Sequence, residues 1–486
     1  MLGLSPGRRR APSGHRYTGA VTGYFLKSFG CRASAADGDG IALALESASS
    51  LAACSLETAA LVVLNTCAVT AQAERDARAI IRRARRSNPD ATIVVTGCYA
   101  QRAPAELAAL DGVDVVIGNS HKGLVAQAGL HALGISPVAG ARTDTGWVPL
   151  AELTFPGPFA SVLHAPFGTG GVAGEHAEEF ALPPAGAKAR TRPVLKIQEG
   201  CGNRCSFCVI PETRGPSRSV SPKDILAAVH QHAAAGVQEL VLSGINLGRW
   251  GRDLRAATTL PRLVRRILDE TALPRLRLSS IEPMDWGEEL LALFDGYGRG
   301  PTPGLAPHAH LPLQSGSDTI LRRMHRRYRP WHYAEKLSAL RARLPEAAIG
   351  ADVMVGFPGE TDALFQESYD FIAAQPLTYL HLFPYSPRPR TAAEVWHREQ
   401  PVAGHAVRER MQALEALGRD KHHAFVEGFV GHSLPAVTLR NGTALTANFL
   451  SVHLQPPVAA NRSIQVLLAS YERGTLLGTE VLPPSH

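Results

Sequence analysis

No run of 18 or more apolar residues occurs among the 486 positions, so no membrane-spanning helix is expected. No acidic residue occurs in the first 22 positions, where Arg8, Arg9 and Arg10 stand together. That composition overlaps with a transit peptide, but a disordered extension over 1–22, or an early start, is the favoured reading. Strong charge is also missing. Charged residues make up 19% and the net charge is +7, which accommodates a polyanionic partner without requiring one. The seven cysteines are odd in number and mostly far apart, at Cys31, Cys54, Cys67, Cys98, Cys201, Cys205 and Cys208. That pattern excludes a secreted disulfide framework and fits a reducing, cytoplasmic compartment in which thiols are free to bind metal.

The organising stretch is KIQEGCGNRCSFCVIPETRG, Lys196–Gly215. It sets Cys201, Cys205 and Cys208 in a C-x3-C-x2-C spacing. Three thiolates this close can hold three irons of a [4Fe-4S] cluster and leave the fourth iron open to a small molecule. The stretch resembles the cluster loop of the radical S-adenosylmethionine (SAM) enzymes. The competing readings are a tight reduced loop and a structural zinc site; the latter usually takes a fourth protein ligand, and none stands in register here.

The text from Tyr24 alternates apolar runs with helical ones. Strands are expected at GYFLKSFG, Leu61–Leu64, Thr92–Thr96 and Val113–Gly118, with a helix over AERDARAIIRRARRSNPD. Such alternation implies an α/β fold with a parallel sheet. Cys31, Cys67 and Cys98 each fall just past the carboxyl end of a strand, the edge where open parallel sheets bind ligands. Converging there, they make a second three-thiolate site; read alone, three scattered cysteines fit core packing as well. Cys54 lies in an Ala-rich segment read as helical and is taken as a buried small hydrophobe. The helix after Cys67 carries Arg75, Arg78, Arg82, Arg83, Arg85 and Arg86, either a phosphate-tracking face or a solvated one.

Residues 136–190 are rich in Gly, Pro and Ala and read as a linker. His164 and His176 within it are set aside as lone loop histidines. Six strand–helix units follow from VLKIQ onward, with Ser221 as a helix N-cap and Pro222 at the first position. They imply a partial or complete (β/α) barrel over 191–425, with its site at the strands' carboxyl ends. The end of the chain, 426–486, turns into short β-rich runs with Gly and Asn-Gly turns, a small β-barrel. The expected order is therefore an N-terminal open parallel-sheet domain over 23–135, a linker, a central barrel and a terminal β-module.

These pieces together resemble the methylthiotransferases of the radical SAM superfamily. The resemblance runs from Tyr24 to the end. It rests on FGC at Cys31, NTCAVTAQAE at Cys67, VVTGCYAQR at Cys98, GCGNRCSFCVIPETRG, SSIEP at Ser279–Pro283, HLPLQSGSD at His310–Asp318, DVMVGFPGET at Asp352–Thr361 and HLFPYSPRPRT at His381–Thr391. It implies two [4Fe-4S] clusters, an auxiliary one on Cys31, Cys67 and Cys98 and a SAM-binding one on Cys201, Cys205 and Cys208. It implies that Phe207 lies near the adenine of SAM and that the terminal module is of the TRAM type. Ser280, Glu282 and Gln314, at polar strand ends, are further candidates for lining SAM. One departure stands out: Ser34 replaces the asparagine usual three residues after the first cysteine, within the Ala- and Gly-rich RASAADGDG.

The order Arg-Gly-Pro-Ser-Arg-Ser at Arg214–Ser219, with NTCAVT and SGINLGRWG, resembles the branch that modifies N6-threonylcarbamoyladenosine beside the tRNA anticodon. Rival branches act on isopentenyladenosine in tRNA or on an aspartate of a ribosomal protein. A rival of another class is a non-catalytic metal-containing RNA-binding protein. An aromatic C2–H is inert to ordinary base, so a radical route through cofactors is required. The implied partners are the tRNA anticodon loop, rather than DNA or membrane, and an electron donor such as a flavodoxin or ferredoxin. Arg322, Arg323, Arg326 and Arg327 are candidate phosphate contacts, or a solvated helix face.

Overall fold

The structure is a computed structural model that describes residues 23–135, 155–156, 161–164, 191–300 and 304–481. The extension 1–22, most of the linker and His176 lie outside the described residues. Among the described residues no helix is long and apolar enough to cross a membrane.

Seven strands form the N-terminal sheet: β1 (Gly23–Ser28), β2 (Ala52–Ala53), β3 (Leu61–Thr66), β4 (Thr92–Gly97), β5 (Val115–Gly118), β6 (Phe155–Pro156) and β7 (Ser161–Leu163). Their order is β2-β1-β3-β4-β5-β7-β6, parallel throughout except for β6. The apolar run of β3 is continuous because both its faces are covered. Leu61 and Val63 join the core beneath helix α1 (Arg32–Ala48), while Val62 and Leu64 join the opposite core beneath helix α2 (Ala71–Ser87). Thr70 starts α2 by accepting from the Ala73 amide at 3.2 Å.

Three sequence expectations change here. Two short strands, β6 and β7, occupy part of the stretch read as linker, and β7 pairs with β5. His164 is fixed structurally by Gln101, with Nε2 2.9 Å from its carbonyl. Cys54 is not helical: it follows edge strand β2, half-buried, its amide donating to the Tyr24 carbonyl at 2.9 Å. The apolar-only pattern of that segment does not separate helix from edge strand.

The central unit has six parallel strands: β8 (Val194–Glu199), β10 (Leu240–Gly244), β11 (Leu276–Leu278), β12 (His308–His310), β13 (Ala348–Val355) and β14 (Tyr379–Pro384). The short β9 (Arg218–Ser219) lies antiparallel beside β8. Two sheets, β11-β10-β8-β9 and β12-β13-β14, are joined where the Ile281 amide donates to the His310 carbonyl at 3.0 Å. Among the described strands β14 does not pair with β8, so the barrel is partial. Ser221 caps its helix as expected, accepting from the Asp224 amide at 3.2 Å. Leu195, Ile197, Leu240, Leu242, Ile349 and Val353 bury one strand face under the helices. The alternating residues therefore face the lumen.

Strands β15 (Ser433–Thr438), β16 (Thr443–Thr446), β17 (Ser451–Leu454), β18 (Ser463–Glu472) and β19 (Thr475–Val481) close into a barrel in the order β15-β16-β17-β19-β18. A buried arginine cage ties this barrel to the central unit. Arg277 Nε and Nη2 reach the two oxygens of Glu239 at 2.7 and 3.0 Å, Arg192 adds a contact at 2.6 Å, and Arg277 also donates to the Thr446 carbonyl at 3.2 Å. Burial opposes ionisation, but Arg277, then Arg192 and Arg275, hold Glu239 down at about 2. A depressed carboxylate stabilises the fold above its unfolded pKa and loses that contribution as pH falls through the folded value. Wild type is thus expected to exceed Glu239→Gln in stability by about 3 kcal/mol near neutrality. Urea midpoints should show the gap closing as pH drops from about 4.5 towards 2; a gap constant over that range would contradict the cage.

Candidate functional site

The carboxyl ends of three neighbouring strands, β1, β3 and β4, bring Cys31, Cys67 and Cys98 together. Each thiol is close enough to raise the Cys67 pKa through its charge. Two glycines make this approach possible. Gly30 has φ +92°, and a Cβ there would stand 2.8 Å from Cys67 Sγ. Gly97 has φ +98°, and a Cβ would stand 2.3 Å from the Thr66 carbonyl oxygen. Helix α1 starts directly after Cys31, with Ser34 Oγ 3.8 Å from Cys31 Sγ. The Val69 amide donates to Cys67 Sγ at 3.4 Å, and Asn119 Nδ2 to Cys98 Sγ at 3.5 Å.

Cys201, Cys205 and Cys208 occupy the loop between β8 and the short helix Ile210–Arg214. Backbone amides of Asn203 and Ile210 donate to Cys201 and Cys208 at 3.4 Å each. Arg326 Nη1 donates to Cys205 Sγ at 3.4 Å, and its Nη2 pairs with Glu282 at 2.5 Å. Arg326 is buried, so it is not a phosphate contact. Arg322 pairs with Asp318, and Arg323 lies over Trp396 with its carbon 5.5 Å from the ring. In helix α2, Arg78 and Arg85 are spent on Tyr99 and Asp114, leaving Arg82, Arg83 and Arg86 exposed.

Phe207 is half-buried and meets Phe357 edge-on at 6.3 Å. Ser280 is exposed beyond β11. Gln314 takes φ +67°, and its Oε1 is buried without a hydrogen-bond partner.

The donor chemistry fits iron–sulfur clusters better than single ions. Among the described residues, the set of three ligand atoms within 4.8 Å of one another is His310, Asp352 and His381; neither cysteine trio is drawn so close. A lone zinc at about 2.3 Å from each sulfur would gather them to about 4 Å, whereas a cube of iron and sulfide holds its thiolates wider. Burial pushes Cys67 and Cys208 up to about 12, with neighbouring thiols adding to it. Thiols so placed ionise when a metal cation binds them.

A buried ion network ties the first trio to the strand and the short helix that flank the second. Arg214, 1% exposed, donates through Nε to Cys98 Sγ at 3.2 Å, through Nη1 to Glu199 at 2.7 Å, and through Nη2 to Ser34 Oγ and Asp37, both at 3.2 Å. Asp37 also receives Lys122 at 2.5 Å and Lys196. Burial opposes ionisation of Asp37, but these three cations hold its carboxyl well below the usual range. Helix α1 packs across β8 and β10. There Arg32 comes within electrostatic reach of Tyr379, Arg277, Asp352 and Glu239.

Two family descriptions match the chain: "Uncharacterized protein family UPF0004" over residues 23–118 and "Radical SAM superfamily" over 195–372. A threonylcarbamoyladenosine tRNA methylthiotransferase MtaB of Bacillus subtilis is 37% identical over 74% of this chain and 72% of its own. The protein of that name from Aquifex aeolicus is 34% identical over 84% and 90%. The chain belongs to the radical SAM methylthiotransferases. Membership carries the use of SAM with an iron–sulfur cluster. A tRNA-2-methylthio-N(6)-dimethylallyladenosine synthase of Sphingopyxis alaskensis is 33% identical over 86% of this methylthiotransferase and 87% of its own chain. The solved radical SAM methyltransferase TsrM of Kitasatospora setae covers 78% of each chain with a TM-score of 0.57 at 15% identity, a likeness of fold.

Sequence reasoning missed the Arg214 network in this enzyme. The signal available was weak: Asp37 stands in an Ala- and Gly-rich stretch, and Lys196 and Glu199 are charged residues within one short strand. Charged residues inside a buried parallel strand run against expectation and mark a function.

Proposed function

We propose that this enzyme converts N6-threonylcarbamoyladenosine, 3′-adjacent to the tRNA anticodon, to its 2-methylthio derivative with SAM and two [4Fe-4S] clusters. Cys31, Cys67 and Cys98 hold the auxiliary cluster, and Cys201, Cys205 and Cys208 hold the SAM-binding one. When bound, these groups supply the one-electron chemistry and the sulfur that an aromatic C–H requires. The carrying observation is the pair of three-cysteine sites, each at parallel-strand ends, with Arg214 tying Cys98 of the first to Glu199 on the strand that leads into the second.

The chain's own contribution is placement. Arg326 orients Glu282 beside the Cys201 loop, and the Oε1 of Gln314 is an open acceptor. With Phe207 and Ser280 these residues line SAM. The Arg214 guanidinium on Cys98 offsets part of the negative charge that a thiolate-bound cluster would bring. Residues 23–135 form the auxiliary-cluster domain, 191–425 the radical SAM domain, and 426–486 a TRAM-like module for the anticodon arm. A flavodoxin or ferredoxin supplies electrons, and the tRNA substrate places the reaction in the cytoplasm.

Mass spectrometry of tRNA nucleosides from a deletion strain tests the reading. The 2-methylthio derivative of threonylcarbamoyladenosine should vanish while its precursor accumulates. Its retention, or loss of the dimethylallyl derivative or of a methylthio-aspartate in ribosomal protein instead, would overturn the substrate assignment.

A further inference from the structure

The barrel lumen holds a second polar group away from the cysteines. His308 and His310 on β12, Asp352 on β13, and Tyr379 and His381 on β14 share its inner face. The Tyr379 hydroxyl lies 2.8 Å from His308 Nε2 and 3.1 Å from His310 Nδ1. Asp352 Oδ1 lies 3.1 Å from His310 Nε2 and 3.4 Å from His381 Nδ1. His310 is 4% exposed, and that Nε2 completes no hydrogen bond. The recess is cationic: Arg32, Arg192, Arg275 and Arg277 face it with only Glu239 and Asp352 opposite. Arg192, Arg275 and Arg277 are spent on Glu239. Arg32 is not: it remains accessible, and its guanidinium has no hydrogen-bond or ion-pair partner among the described residues.

The threonylcarbamoyl group carries a carboxylate, a hydroxyl and a urea on the adenine N6. A dimethylallyl group carries none of these and suits an apolar recess. A free guanidinium is the preferred partner of a carboxylate. Arg32 also follows Cys31 directly. An adenine turned with C2 towards the cysteine sites therefore leads its N6 substituent into the recess.

We propose that Arg32 binds the carboxylate of the threonyl group, with Tyr379 and the His310–Asp352–His381 set receiving its hydroxyl and urea, and that this recess selects the anionic substrate. The proposal rests on the substrate reading above. It predicts discrimination by charge, since a site built for a polar group rejects the analogue that lacks it.

The test uses the reconstituted holoenzyme with two anticodon stem-loops, one bearing threonylcarbamoyladenosine and one bearing its methyl ester. Wild type should favour the acid over the ester by roughly 10- to 100-fold in kcat/KM, expressed mainly in KM. In Arg32→Gln that preference should collapse to near unity, and Arg32→Lys should restore part of it. Direct binding of the two stem-loops, measured by fluorescence anisotropy, should show the same preference without turnover. Equal use of acid and ester by wild type would overturn the role of Arg32 and leave the function standing. So would an equal loss on both in Arg32→Gln. Failure of wild type to modify either stem-loop would instead overturn the function.

Discussion

Changing Cys67 to alanine is expected to lower tRNA methylthiolation by at least about 1,000-fold while SAM cleavage by the reduced enzyme persists. The split follows from geometry. Cys67 lies at the end of β3 in the N-terminal sheet, whereas the SAM-cleaving trio hangs from β8 in the central barrel. Cys67 is 4% exposed and packs against Gly30, so alanine removes a donor without inserting bulk. The reciprocal change, Cys208→Ala, should abolish both SAM cleavage and methylthiolation, because every later step needs the cleavage. Cleavage assays by liquid chromatography beside nucleoside mass spectrometry separate the outcomes. Loss of both activities in Cys67→Ala, with iron at the central trio intact, would count against two functionally distinct sites.

Arg214→Met is expected to destabilise the protein by about 2–3 kcal/mol, since its buried hydrogen bonds to Cys98, Glu199, Ser34 and Asp37 are lost while Lys122 and Lys196 still face the two carboxylates. Asp37 and Glu199 would each lose their closest guanidinium contact, at 3.2 and 2.7 Å. The pairing spans the interface between α1 and β8, so resistance to limited proteolysis between the two domains should fall with the stability. Arg214→Lys keeps the charge but cannot reach Cys98, Glu199, Ser34 and Asp37 with one ammonium, and should recover only part of the loss. A thermal melt of the holoenzyme within a degree of wild type would contradict the network's importance.

Much of the fold was legible because its strongest elements obey simple patterns. The runs at Leu61–Leu64 and Thr92–Thr96 grow by one or two residues in the structure, to Thr66 and Gly97, because the last strand positions are polar. The six-unit barrel, the Ser221 cap and the closed terminal barrel follow the same periodicities. Strand β7 was not legible: three residues beyond a Gly- and Pro-rich stretch carry no period, and only pairing with β5 and β6 defines them. At the site, cysteine spacing pointed to chemistry, but partners did not. Arg326 stands in a basic run typical of a solvated face, yet tertiary packing buries it against Glu282 and Cys205. Arg32 and Tyr379 stand far apart in the chain and come within electrostatic reach only because α1 packs against β8 and β10.

The most direct measurement is the iron content of anaerobically purified, reconstituted protein, with Mössbauer spectra of wild type and Cys67→Ala. Two three-cysteine sites predict about eight iron atoms per chain in wild type and about four in the variant. About four in both would contradict the claim that cysteines from two domains hold two clusters.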